Sequence, residues 1–134
     1  MTIVLTGGSG FIGTQLAKKL LALGDTVVVV DIKPPSFTHQ QLFFIQCDIT
    51  SQQLPFNVLE HTDAVINLAG APIGLKWTPA HKQSIYQSRI KSTAHIVESM
   101  RTATSRPGIL INASAVGYYG ERGEEELTER SSKG

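Results

Sequence analysis

The feature that most constrains this chain is a run of glycines close to its start: Thr6-Gly7-Gly8-Ser9-Gly10-Phe11-Ile12-Gly13. Gly7, Gly10 and Gly13 recur with two residues between them. The apolar run 2–6 ends at the first glycine, and a helical pattern begins after the third. A strand, a glycine turn and a helix in that order place unpaired N–H groups at a helix N-terminus, where the macrodipole favours an anion. Gly7 permits the sharp turn, Gly10 lets a ligand approach the backbone, and Gly13 lets helix and strand pack closely.

The rest of the chain alternates in the same manner. Residues 11–23 carry Ile12, Leu16, Leu20 and Leu23 at helical spacing, and Gly24 follows as a helix stop. Residues 26–31 form a valine-rich strand, broken by Lys33-Pro34-Pro35-Ser36. Further strands are predicted over 42–46, 64–68 and 109–112. A long helix opens at Thr78-Pro79 and runs to about residue 104, with Tyr86, Ile90, Ala94, Val97 and Met100 expected on its buried face. This alternation predicts an α/β fold with a parallel sheet and right-handed crossovers. In a Rossmann-type arrangement the strand order is 3-2-1-4-5. Residues 1–119 are read as a dinucleotide-binding domain. Residues 120–134 are read as a polar tail, and the fold as truncated before its second half.

Composition excludes other classes. At 41% hydrophobic and 17% charged, the chain reads as a globular protein. A net charge of +1 without a basic cluster argues against a nucleic-acid partner. The longest strongly apolar stretch, 27–30, is far too short to span a membrane. One cysteine and no recognisable leader fit a reducing compartment, and the expected location is cytoplasmic. The four histidines have no metal-ligand spacing, so no metal is expected.

In this setting the glycine turn points to NAD or NADP, with Thr6, Gly7, Gly10, Phe11, Ile12 and Gly13 as cofactor-binding positions. Asp31 closes the second strand, where a carboxylate accepts from ribose hydroxyls and repels a 2′-phosphate; this favours NAD slightly. Lys33, two residues on, is suited to the 2′-phosphate of NADP. Asp48 has two readings: acceptor for the adenine amino group beside Ile49, or N-cap of a short helix at Thr50-Ser51-Gln52-Gln53. Leu68, Ala69 and Gly70 leave the fourth strand as small or apolar residues along which a cofactor can lie. Asn67 either lines that path or ties neighbouring strands together. Cys47 is read as a small core residue.

Taken together, Thr6 to Gly13, Asp48-Ile49, Asn67 to Gly70 and Asn112-Ala113-Ser114 resemble the extended short-chain dehydrogenase/reductases, the NAD-dependent epimerase/dehydratase group. Asn67 to Ile73, Lys76-Trp77-Thr78, Ser88-Arg89 and Ser114 to Gly120 are similar to its sugar-nucleotide epimerase-like branch, sometimes labelled "cell division inhibitor". The resemblance implies that Ser114 is catalytic and hydrogen-bonds the substrate oxygen. It also places Arg89 where such proteins often carry an active-site asparagine on the long helix, so an arginine here meets a cofactor phosphate or an anionic substrate group, or is a surface residue. The family's usual Tyr-x-x-x-Lys pair is absent: Arg122 and Gly123 stand four residues after Tyr118 and Tyr119. Two functions follow. One is hydride transfer on a sugar nucleotide or small carbonyl or alcohol substrate by the full-length protein, this fragment being inactive alone. The other is a non-catalytic dinucleotide sensor or interaction protein. A homodimer through the long helix is implied by the resemblance only.

Overall fold

The computed structural model describes residues 1–134 apart from the side chain of Val116. Five strands form one parallel sheet: β1 (Thr2–Thr6), β2 (Thr26–Asp31), β3 (Leu42–Gln46), β4 (Ala64–Asn67) and β5 (Ile109–Asn112). Their spatial order is β3-β2-β1-β4-β5, as the alternation predicts. The strand order reverses between β1 and β4, which opens a crevice at the carboxyl ends of the strands, where open α/β sheets take ligands. Helix α1 (Phe11–Ala22) follows β1, and helix α2 (Pro79–Thr102) joins β4 to β5. Among the described residues no helix is long and apolar enough to cross a membrane.

Each face of the sheet has its own core. On one face Ile3, Leu5, Val27, Val29, Ala64 and Ile66 pack against Ala17 and Leu21 of α1. On the other, Val4, Val30 and Val65 pack with Ile96 of α2 and with Cys47, Ile49, Leu54, Val58 and Leu59 from the segments around β3 and β4. Cys47 is thus a buried core residue, as expected.

Both helices turn different faces inward than their large apolar residues suggest. In α1 the buried positions are Gly13, Ala17 and Leu21. Leu16 and Leu20 are partly buried at the edge of that contact, while Ile12 and Leu23 are 66% and 68% exposed. In α2 the buried positions are Ser88, Ser92, Ile96 and Ser99, and Tyr86, Ile90 and Val97 face outward. Ala94 is also exposed, and Met100 is partly buried. The physical reason is distance: a helix lies close on a sheet where its contact residues are small, so the small stripe faces in.

The helix ends are specified locally. Thr78 caps α2, its hydroxyl accepting the His81 N–H at 3.2 Å, with Pro79 in the first turn. At the end of α1, Gly24 N–H donates to the Leu21 carbonyl and Asp25 N–H to the Leu20 carbonyl, which together form a Schellman pair. β4 ends one residue before the expected Leu68, and α2 ends at Thr102 rather than near 104. Two short 3-10 helices, Phe56–Val58 and Val116–Tyr119, were not legible in the sequence. Residues 120–134 form turns, tied back by Arg122, which donates to the Tyr119 and Ser132 carbonyls.

These packing faces make a direct stability contrast. Leu21→Ala is expected to cost about 2–5 kcal/mol, because the side chain is removed from a closed contact. Leu23→Ala, two residues on but exposed, is expected to stay within about 0.5 kcal/mol. Chemical denaturation of the two variants checks this.

Candidate functional site

The site begins with close backbone packing at the glycine turn. Gly7 has φ +71°, and a Cβ there would lie 2.7 Å from the Leu68 carbonyl carbon and 2.8 Å from the Ala69 nitrogen. The turn after β1 is therefore pressed against the segment after β4. A Cβ at Gly13 would collide with the Gly7 carbonyl oxygen and lie 2.6 Å from Gly8 Cα. Gly13 thus allows α1 to start directly beneath the turn. Gly10 is the N-cap of α1; no side chain caps it, and no acidic residue occupies the first turn. The first N–H groups of the helix have no intrahelical acceptor and remain available to an anion.

A cleft of about 310 Å³ opens over this turn. It brings together three groups of expected residues: Gly7 and Gly10 from the turn, Asp31 and Lys33 after β2, and Asp48 and Ile49 after β3. Leu68, Ala69 and Gly70 close its other side. The remaining expected positions stand elsewhere. Thr6 is fully buried below the cleft and spends its hydroxyl on Asn67. Gly13 lies under the turn, and Phe11 and Ile12 project outward from the start of α1, at 89% and 66% exposure. Arg89 and Ser114 line a second, smaller cleft of about 70 Å³ with Asn67, Thr93, Asn112 and Ala113. Leu68 and Ala69 border both clefts.

Asp31 is tied into the turn. Its Oδ2 accepts the Ser9 N–H at 3.0 Å and its Oδ1 the Ile32 N–H at 2.7 Å. Ser9 also donates its hydroxyl to the Lys33 carbonyl at 2.6 Å. Ser9 was not singled out in the sequence, because a serine between glycines carries no signal of a bond to the next strand. These bonds aim the Asp31 carboxylate into the cleft and leave it further lone pairs, since an ionised carboxylate has about four acceptor sites.

Asp48 caps a single turn rather than a helix. Its Oδ1 accepts from the Thr50 hydroxyl at 2.7 Å and the Thr50 N–H at 2.9 Å, and its carbonyl accepts from Ser51 N–H at 3.0 Å. The same side chain both shapes the loop and lines the cleft. The ring Nδ1 of His95 donates to the Ile49 carbonyl at 2.8 Å, fixing that loop to α2. The Thr50 hydroxyl bond, reinforced by the Thr50 N–H, the Ser51 hydroxyl and the nearby His95, holds the Asp48 carboxyl below its ordinary value.

A polar row, buried at Thr6 and Asn67 and exposed at Asn112, crosses the strand ends and reaches the smaller cleft. Thr6, Asn67 and Asn112 stand abreast in register at the ends of β1, β4 and β5. Thr6 donates its hydroxyl to Asn67 Oδ1 at 2.6 Å, and Asn67 Nδ2 donates to Asn112 Oδ1 at 2.7 Å. Thr93 of α2 donates to the same Asn112 oxygen at 3.1 Å, and Asn67 Oδ1 also accepts the Ala69 N–H at 3.2 Å. Asn67 ties the strands together and also lines the smaller cleft. Trp77 is 59% exposed and donates its ring N–H to the Ile73 carbonyl, so it is not a core residue.

The description of the NAD dependent epimerase/dehydratase family matches residues 3–133. The chain belongs to that family. It is 35% identical over 116 residues to an epimerase family protein of Staphylococcus saprophyticus, covering 87% of this chain and 38% of the relative. It is 35% identical over 131 residues to the epimerase family protein YfhF of Bacillus subtilis, covering 98% of this chain and 43% of the relative. Among solved structures, human epimerase family protein SDR39U1 with NADPH superimposes with a TM-score of 0.77 at 27% identity, covering 99% of this chain and 43% of that one. UDP-glucuronic acid 4-epimerase from Bacillus cereus, in complex with UDP-glucuronic acid and NAD, gives 0.79 at 26%, covering 96% and 44%. The chain therefore spans about two fifths of the length of these relatives.

The Asp48 geometry has a pH consequence. A carboxyl whose folded pKa is depressed contributes stability above the unfolded aspartate value of about 3.9, and loses it as pH falls through the folded value. In a carboxyl-detected NMR titration Asp48 is expected to titrate below an ordinary aspartate, and Thr50→Val is expected to move it up toward that value.

Proposed function

We propose that the whole protein binds a nicotinamide dinucleotide, NAD in preference to NADP, and uses it for hydride transfer on a sugar nucleotide or a small carbonyl or alcohol substrate. The observation that carries this reading is the cleft over the glycine turn. It combines an uncapped helix N-terminus for phosphate, the Asp31 carboxylate at the ribose position, and the Asp48-Ile49 loop at the adenine position. A cleft of about 310 Å³ is within the range that holds small ligands. Similar proteins have been solved with NADPH and with NAD, which supports the cofactor class and leaves its preference to this chain's own residues.

In this reading Asp31 accepts from the adenosine ribose hydroxyls and disfavours a 2′-phosphate, while Lys33 is the only cation lining the same cleft among the described residues. Asp48 Oδ2 accepts from the adenine amino group, and Ile49 flanks the ring. When bound, the nicotinamide supplies the hydride acceptor or donor. Ser114, in the second cleft, orients the substrate oxygen by a hydrogen bond. The exposed row Tyr86, Ile90 and Val97 on α2 fits the homodimer that the resemblance implies.

Thermal unfolding of the purified chain, alone and with NADH or NADPH, tests the reading. A ligand that binds only the native state stabilises it by about 2.7 kcal/mol at a hundred times its dissociation constant. The larger shift is expected with NADH, and Asp31→Ala is expected to narrow the difference between the two. A larger shift with NADPH on the unmodified chain gives the selecting role to Lys33. A cooperative transition that neither cofactor moves removes the dinucleotide reading.

A further inference from the structure

Helix α2 presents a polar face to the loop that follows β3. Ser84, Gln87, Lys91 and His95 recur at three- and four-residue spacing, so they lie along one side of the helix. Opposite them stand Thr50 and Ser51, just beyond the Asp48-Ile49 pair. A third cleft of about 540 Å³ opens between the two segments. It shares no lining residue with the cleft over the glycine turn or with the one at Ser114.

The chemistry of this cleft is one-sided. Every residue that lines it is polar, and none is a carboxylate. It has no apolar floor for a ring or an alkyl group, whereas most small-molecule pockets are lined by apolar side chains. Lys91 pairs with no carboxylate among the described residues. The Asp48 carboxylate lines the other cleft and is engaged by Thr50 and Ser51. Glu98, further along α2, is held by Arg101. The buried Ser88 has its hydroxyl spent, accepting the Ala71 N–H at 2.9 Å and donating to the Ile85 carbonyl at 3.1 Å.

His95 narrows the ligand class. Its Nδ1 donates to the Ile49 carbonyl, so Nε2 is the ring nitrogen left for a ligand. In the neutral ring Nε2 accepts from an O–H, and in the charged ring it donates. A phosphate group suits both states, because it carries an O–H in one ionisation state and only accepts in the next. Its other oxygens can accept from the Lys91 ammonium, the Gln87 amide and the Ser84 hydroxyl. A carboxylate ionised at neutral pH only accepts.

We propose that this cleft is a phosphate-binding site, separate from the dinucleotide cleft, with Lys91 and His95 as its principal contacts. The occupant, free phosphate or a small phosphate ester, bridges α2 and the loop that carries Asp48 and Ile49. The proposal stands independently of the dinucleotide reading.

Titration of the full chain with inorganic phosphate, followed by amide and histidine-ring NMR against acetate at equal ionic strength, tests it. Saturable shifts are expected at Thr50, Ser51 and the His95 ring with phosphate and not with acetate. Lys91→Gln, at an exposed position, is expected to weaken that binding about tenfold, the loss of a charge-assisted contact. His95→Asn keeps an N–H for the Ile49 carbonyl and is expected to weaken it as well. Glycerol 3-phosphate distinguishes the source: tighter binding than inorganic phosphate assigns an ester, and weaker binding assigns the free ion. Phosphate also suits the start of α1, so shifts at residues 8–13 report on the other cleft; saturating NADH is expected to abolish those and leave the first set. The absence of saturable shifts at Thr50, Ser51 and His95 overturns the proposal, as do equal shifts with acetate or shifts undiminished in both variants. Loss of both sets on adding NADH also overturns it, because the cleft then belongs to the dinucleotide site. If NADH changes neither set, the dinucleotide reading fails, and the Lys91 and His95 variants still decide this one.

Discussion

The arrangement depends on one hydrogen-bonded row, Thr6–Asn67–Asn112, buried at its first two members and laid across the carboxyl ends of three neighbouring strands. Asn67 is 4% exposed and has both its amide oxygen and its amide nitrogen engaged. A buried amide left unpaired would cost free energy, so the three strand ends are held in one relative position. Three of the segments that form the site leave the sheet at that level: the glycine turn from β1, residues 68–70 from β4, and Ala113-Ser114 from β5. Thr93 extends the row into α2, which also holds Ala71 through Ser88 and Arg89. The loops over the cleft at the glycine turn are thus suspended from a polar frame rather than from side-chain packing alone.

The close approach of the turn to residues 68 and 69 follows from the same frame. Gly7 touches the backbone after β4 in a conformation that only glycine adopts readily, and Gly13 allows the helix to start beneath it. Asp31 and Ser9 then brace the turn against the end of β2. The proposed role of this turn in holding a phosphate needs its N–H groups fixed in direction before the ligand arrives, because ordering them on binding would cost affinity. Here the bracing is in place: two side chains and three strands define the turn.

The helices show how far hydrophobicity alone misleads. In α2 the large apolar residues Tyr86, Ile90 and Val97 point outward, and the buried face is made of Ser88, Ser92, Ile96 and Ser99. Those serines have their hydroxyls satisfied within the helix: Ser88 donates to the Ile85 carbonyl, Ser92 to the Arg89 carbonyl and Ser99 to the His95 carbonyl. A serine paired this way is sterically a small residue and permits close packing. The signal was present as a four-residue spacing of small side chains, but a ranking by apolar character passes over it. Likewise Ser9 and Ser88 contribute to the site through single bonds to distant backbone, and such bonds leave no local pattern.

What the sequence determined by itself is local or periodic. The glycine spacing specified a turn between a strand and a helix, the valine run a buried parallel strand, and Thr78-Pro79 a helix start; the alternation of these elements was enough for the strand order. The positions of Gly7, Gly10, Asp31, Lys33, Asp48 and Ile49 at strand ends were legible for the same reason, since a parallel sheet brings all its carboxyl ends to one edge. What only the tertiary structure decided is which partner each polar group found: Thr6 with Asn67 rather than the cleft, Asp31 with Ser9, and Arg89 at the boundary of two clefts rather than inside the first. Hydrogen-bond partners tens of residues apart are chosen by register and helix placement, which no local spacing encodes.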